Sequence, residues 1–145
     1  MYRMEKIVVY TDGGARNNPG PAALGVYIET LDKGYGEYLG TKTNNEAEYS
    51  AILFALKKIK TLIGKDRSKQ AHIDMRMDSE LACKQLNHVY KIKKPHIQKF
   101  CIEIWNEVLD FERVTFTHVF REQNKKADAL VNEALDAREK QGSLM

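Results

Sequence analysis

Apolar residues recur along this chain with two different periods, and the order in which those periods follow one another restricts the fold more than any single motif. Residues 5–11, 22–30 and roughly 33–41 are rich in β-branched and aromatic side chains, which favour a pleated, half-buried strand. Short connections, "GGARNNPGP" and the "LDKGYG" region, point to an antiparallel meander. The period then changes to that of a helix. Ala47, Ala51, Ala55, Ile59 and Leu62 recur on one face, and Thr43 followed three residues later by Glu46 is the capping-box pattern of a helix start. "HIDMRM", at 72–77, alternates like a fourth strand, with Ser79 placed to cap a helix "ELACKQLNHVY". Ile97, Phe100, Cys101, Ile104, Trp105, Val108 and Leu109 form a helical stripe, and Pro95 suits its first turn. A fifth strand at 113–120 precedes a closing helix at 124–140, with Ala127, Leu130, Val131, Ala134 and Leu135 on its buried face.

The resulting order is β-β-β-α-β-α-α-β-α. It predicts an α/β fold with a five-stranded mixed sheet, three antiparallel strands and then parallel additions, flanked by helices. A length of 145 residues suits one domain spanning 1–145. Hydrophobic residues at 43% and charged residues at 30% exclude a disordered chain. The apolar runs are too short to span a bilayer, and the N-terminal run is cut by Asp12 before it could serve as a secretory signal. A cytoplasmic protein without a membrane partner is expected. Cys83 and Cys101 lack the spacing of a zinc site or disulfide framework and read as small core residues.

The net charge of +3 is only mildly basic, so its distribution carries more information. Lysine and arginine gather in "KKIKTLIGKDRSK" and "YKIKKPHIQK", and again at Arg121, Lys125 and Lys126. Such groups can bind phosphates or simply solvate helix faces and complement helix dipoles, and the sequence leaves both uses open.

Carboxylates stand at the ends of four elements. Asp12 leaves the first strand and Asp78 the fourth; Glu48 and Asp128 lie in the first turns of the long and last helices. Each has an ordinary explanation as a turn former or as a complement to a helix N-terminus. Together they exceed that need, because Ser79 is the better cap beside Asp78 and Glu46 already fills the capping box ahead of Glu48. Clustered carboxylates repel one another unless a cation intervenes. An all-oxygen donor set suits Mg²⁺ or Mn²⁺, and two such ions can promote phosphodiester hydrolysis. The glycines after Asp12, at 13, 14 and 20, are expected to permit positive φ and close backbone approach to a ligand.

"YTDGGARNNPGPAALGV", "TNNEAEYSAI", "MDSELACKQL" and "REQNKKADALVNEA" together resemble, in order and spacing, type 1 ribonuclease H over nearly the whole chain. The resemblance implies that Asp12, Glu48, Asp78 and Asp128 bind two Mg²⁺ or Mn²⁺ ions and hydrolyse the RNA strand of RNA–DNA hybrids, leaving 5′-phosphate and 3′-hydroxyl ends. It implies that Asn18, Asn44 and Asn45 read the minor groove of the hybrid and that Thr43 helps hold a DNA-strand phosphate.

This sequence departs from the family pattern in places. The loop before the fourth acid is shortened to "REQN", and His118 is expected to be structural, which leaves Glu122 or Asn124 as candidates for assistance. "HVYKIKKPHI" supplies Lys91, Lys93 and Lys94 without room for the basic protrusion of some members, and no N-terminal hybrid-binding domain is expected. Cleavage of double-stranded RNA, known in some relatives with shortened loops, stays open. No obligate protein partner is evident. The alternatives are a DNA-acting nuclease or recombinase of the same fold and a non-catalytic nucleic-acid-binding domain.

Overall fold

The short connections between the first strands have the effect their lengths predict. In the computed structural model, which describes residues 4–143, β1 (Glu5–Ala15), β2 (Gly20–Ile28) and β3 (Lys33–Lys42) form an antiparallel meander. The expected single domain over 1–145 runs past the described residues at both ends. After the meander come α1 (Asn44–Ile63), α2 (Lys65–Ser68), β4 (Ala71–Met77), α3 (Glu80–Leu86), α4 (Pro95–Val108), β5 (Arg113–His118) and α5 (Lys125–Ser143). β4 joins β1 in parallel and β5 joins β4 in parallel, giving the sheet order β3-β2-β1-β4-β5. This is the expected α/β fold around a five-stranded mixed sheet.

Strand alternation divides the interior into two unequal parts. Ile7, Val9, Leu24, Val26, Ile73 and Met75 face α1, where Ile52, Leu56 and Ile59 are buried against them. Leu86 of α3 and Ile97 and Ile104 of α4 extend that core. On the opposite face α5 lies on β2 and β3 through a much smaller cluster of Ala23, Val131 and Leu135, with Ala134 at its edge. Gly25 is the reason it can come so close, since a Cβ there would stand 2.1 Å from the Ala127 carbonyl oxygen.

Several boundaries differ from the sequence expectation. β1 does not end at residue 11, because its ladder with β2 continues to the Ala15–Ala22 pair, so Asp12 sits inside a strand. Gly13, Gly14 and Gly20 do not take positive φ; among the described glycines only Gly40 and Gly64 do. α3 stops at Leu86 instead of running to Tyr90: His88 adopts φ 64°, and the N–H groups of Val89 and Tyr90 turn back to the Lys84 carbonyl at 2.8 and 3.2 Å. β2 ends at Ile28 in a 3₁₀ turn over Glu29–Leu31, and β5 ends at His118. Leu109, expected in the buried stripe, lies just past α4 and is 81% exposed. Leu62 is likewise on the surface. The short helix α2 carries no apolar periodicity of its own and was not anticipated. Cys83 and Cys101 are free thiols in the core, as expected.

Candidate active site

The parallel register of β1 and β4 sets two of the acids side by side. Thr11 pairs with Met77, so Asp12, inside β1, and Asp78, just past the end of β4, come side by side. Thr43 begins α1 with a complete capping box: its hydroxyl accepts the Glu46 N–H at 3.1 Å, and the Glu46 carboxylate accepts the Thr43 N–H at 3.0 Å. Fixing that start places Glu48 in the first turns, where α1 passes directly over Gly13. A Cβ on Gly13 would lie 2.2 Å from the Ala47 carbonyl carbon, so only glycine lets helix and strand meet here. Its service is close approach of α1, whereas the sequence had suggested turn geometry.

Asp12, Glu48 and Asp78 each offer a carboxylate oxygen within a cluster whose members lie within 4.8 Å of one another. Asp128, exposed in the first turn of α5, approaches Asp12 from the other side and lines the same cavity of about 370 Å³. All four acids expected from the sequence therefore open onto one space. Arg16, Asn44, Arg121 and Asn132 also line it. Arg16 and Asn132 were not singled out from the sequence, because neither sits in a pattern that distinguishes a cavity wall from a solvated helix or turn.

Electrostatics at the cluster are those of crowded like charges. Burial, then repulsion from Asp78 and Asp128, pushes the Asp12 carboxyl from an ordinary 3.8 up to about 7. Glu48 is raised well above its usual range by burial and by the charges of Asp12 and Asp78, against which only the Gly13 N–H helps. Its Oε2 is buried without a hydrogen-bond partner. A buried carboxylate oxygen in that position lacks a compensating group. The residues fit a hard divalent cation: every donor is oxygen, the negative charge is uncompensated, and one buried ligand atom is unused.

The asparagines expected to bind nucleic acid are placed differently from one another. Asn18 Oδ1 accepts the Asn44 N–H at 2.9 Å, and Asn44 Oδ1 accepts the Ala15 N–H at 2.8 Å. This pair ties the β1–β2 connection to the start of α1 beside the acids. Asn45 instead lines a second cavity of about 160 Å³ with Leu81, Gln85, Lys91, Lys93 and Lys94. Buried Tyr49 donates its hydroxyl to Gln85, whose Nε2 bonds the Lys91 carbonyl at 3.3 Å, so the basic segment is anchored to the core.

Of the residues near the shortened loop, His118 is exposed at the end of β5 with its ring edge against Phe120. It does not line the acid cavity. Glu122 lies in a different pocket, with Tyr10 and Tyr27. Asn124 is 1% exposed, and its Nδ2 donates to the Thr11 carbonyl at 2.9 Å. Its own carbonyl accepts the Asp128 N–H at 3.1 Å. Asn124 thus joins the peptide just before Asp12 to the first turn that carries Asp128, a holding role in place of the chemical one considered for it.

The reverse transcriptase-like family matches residues 10–134, most of the chain and all four acids. Ribonuclease HI of Halobacterium salinarum is 36% identical over 135 residues, covering 90% of this chain and 65% of that protein. The bifunctional protein Rv2228c of Mycobacterium tuberculosis is 32% identical, with 91% of this chain covering 36% of it. The chain thus spans two thirds or less of the length of these curated relatives. Among solved structures, LC11-RNase H1 in complex with an RNA/DNA hybrid superposes with a TM-score of 0.84 at 39% identity, covering 91% of this chain and 98% of that one. Matching in fold, in family and along nearly its whole described length, the chain belongs to the type 1 ribonuclease H family.

Proposed function

We propose that this protein is an endonuclease that hydrolyses the RNA strand of RNA–DNA hybrids with two Mg²⁺ or Mn²⁺ ions, leaving 5′-phosphate and 3′-hydroxyl ends. The observation that carries the reading is the meeting of Asp12, Glu48 and Asp78 within 4.8 Å, with Asp128 on the same cavity. The likeness to an RNase H1 solved with an RNA/DNA hybrid supports the substrate class.

The ions, when bound, supply an activated water and stabilise the leaving oxygen of an in-line displacement. The chain's own residues do the rest. Asp12, Glu48 and Asp78 hold the ions, with Asp128 completing the shell from α5. Asn18, Asn44 and Asn45 face the hybrid, and because the side-chain oxygens of Asn18 and Asn44 are committed to backbone N–H groups, they offer donors. That suits the acceptors exposed in a minor groove. Thr43, whose hydroxyl and N–H serve the capping box, helps position a DNA-strand phosphate at the start of α1. Lys91, Lys93 and Lys94 add counter-charge along the backbone, so binding weakens with salt. Double-stranded RNA is a second candidate substrate.

We take residues 1–145 as one domain acting in the cytoplasm. No helix among the described residues is long and apolar enough to cross a membrane, and two free thiols suit a reducing compartment.

The test is cleavage of an end-labelled RNA–DNA hybrid with Mg²⁺, Mn²⁺ or EDTA, beside single-stranded RNA, duplex RNA and duplex DNA, with Asp78→Asn as control. Metal-dependent cutting of the hybrid, lost in the variant, is the expected result. A folded wild-type protein that binds the hybrid but cuts nothing under either metal would instead favour a binding domain; cutting of duplex DNA would favour a recombinase-like nuclease.

A further inference from the structure

Arg16 directly follows β1 and lines the cavity that holds the acids. Its guanidinium reaches across to α5. Nη1 donates to Glu139 at 2.7 Å, and Nη2 to Asp136 at 2.8 Å, with Asn132 Oδ1 at 3.5 Å. These acceptors follow one another along a single helical face. Asn132 in turn donates its Nδ2 to the Asp128 carbonyl at 3.1 Å. A continuous polar path therefore joins the strand that carries Asp12 to the helix that carries Asp128.

That path meets a need the packing leaves unfilled. α5 rests on the sheet through Ala127, Val131 and Leu135, and over Gly25 and Gly36 its backbone approaches β2 and β3 without intervening side chains. Small, smooth contacts hold a helix down but resist rolling or sliding poorly, because no large knob is seated in a deep hole. At its N-terminal end Asn124 fixes the first turn. Farther along, Arg138 stands over the Tyr38 ring of β3 at 4.9 Å from its centroid, and on the side of the acid cavity the described contact that reaches α5 from the end of β1 is that of Arg16.

We propose that Arg16 is a positioning residue that straps α5 to the end of β1 and so holds Asp128 at the working distance from Asp12, Glu48 and Asp78. The proposal rests on the divalent-metal reading of the acid cluster. The strap is open to solvent, with Arg16 34% exposed and Asp136 and Glu139 68% and 62% exposed. Exposed ion pairs add little to global stability and are screened by salt. Its loss is therefore expected to appear in metal affinity and to leave the melting temperature nearly unmoved.

The decisive experiment is calorimetric titration of the free protein with Mn²⁺ alone, which needs no turnover. Arg16→Met and the double variant Asp136→Asn/Glu139→Gln should each weaken Mn²⁺ binding by about tenfold, the scale seen when groups that orient metal ligands are removed. Arg16→Lys should recover most of the loss. In an Asp128→Asn background, Arg16→Met should add nothing further, since the strap acts through that carboxylate.

Unchanged Mn²⁺ affinity in Arg16→Met overturns the strap. So does a double variant that binds Mn²⁺ like the wild type while Arg16→Met alone weakens hybrid binding, a result that would make Arg16 a direct phosphate contact. If the wild type binds no Mn²⁺, the proposed function and the strap fall together. If it binds Mn²⁺ and cuts hybrid while Arg16→Met is indistinguishable from it, only the strap falls.

Discussion

The two faces of the sheet hold their helices in different ways. Against α1 the sheet presents Ile7, Val9, Val26, Ile73 and Met75 to Ile52, Leu56 and Ile59, all with no exposure. Against α5 it presents Ala23 and glycines to Ala127, Val131 and Leu135. Large interlocking side chains define one position, whereas small flat ones allow several at little cost. The elements on the two faces supply the acids unequally. The three that meet within 4.8 Å come from β1, β4 and α1, while the exposed fourth comes from α5 and is held by Asn124 and the Arg16 contacts. We read the triad as a rigid floor and Asp128 as an adjustable wall.

The largest expected effect tests that division directly. Asp78→Asn should lower hybrid cleavage by about a thousandfold, or about 4 kcal/mol in barrier, whereas Asp128→Asn should lose about thirtyfold and regain part of it as Mn²⁺ is raised. Single-turnover rates across a metal series would measure both, and equal losses without metal recovery would break the comparison. Gly13→Ala should destabilise the fold by about 3 kcal/mol, since its Cβ would drive into the α1 backbone in the larger core. Gly25→Ala presses on the Ala127 carbonyl and should cost less, because α5 can shift. Urea midpoints for the pair would reveal whether the α5 face is in fact the more compliant.

A smaller effect concerns pH. Asp12 is raised from 3.8 to about 7 in the fold, so the folded state holds that proton more tightly than the unfolded chain. Its contribution is full below about 4 and is lost as pH rises to about 7. Metal-free protein should therefore be less stable at pH 8 than at pH 5, and Asp12→Asn should exceed wild type at pH 8 by about 2 kcal/mol. Denaturant unfolding in EDTA at both pH values would check the sign. The smallest difference is within the cores: Leu56→Ala should cost about 3 kcal/mol and Leu135→Ala about 2 kcal/mol.

Much of this arrangement was legible in the residues. Alternation and helical spacing located the strands and the long helices because those periods are imposed by which side must be buried. The capping box at Thr43 and Glu46 is local chemistry and appeared as read. Ends were less legible, since they depend on partners distant in sequence. β1 continues through Asp12 because β2 supplies a ladder as far as Ala22, and α3 stops because His88 turns left-handed and the following N–H groups return to Lys84. The roles of Arg16 and Asn124 were hidden for the same reason: one reaches across to residues 136 and 139, the other back to Thr11.

By itself the sequence determined the kinds of element, their order, and the presence of carboxylates beyond what turns and helix ends require, because periodicity and local capping act over a few residues. Only the tertiary structure decided that three of those carboxylates crowd within 4.8 Å while the exposed fourth reaches Asp12 from α5, and that glycine at 13 serves a helix crossing. Those outcomes depend on strand register and on how closely two faces pack, which are set by contacts between residues far apart in the chain.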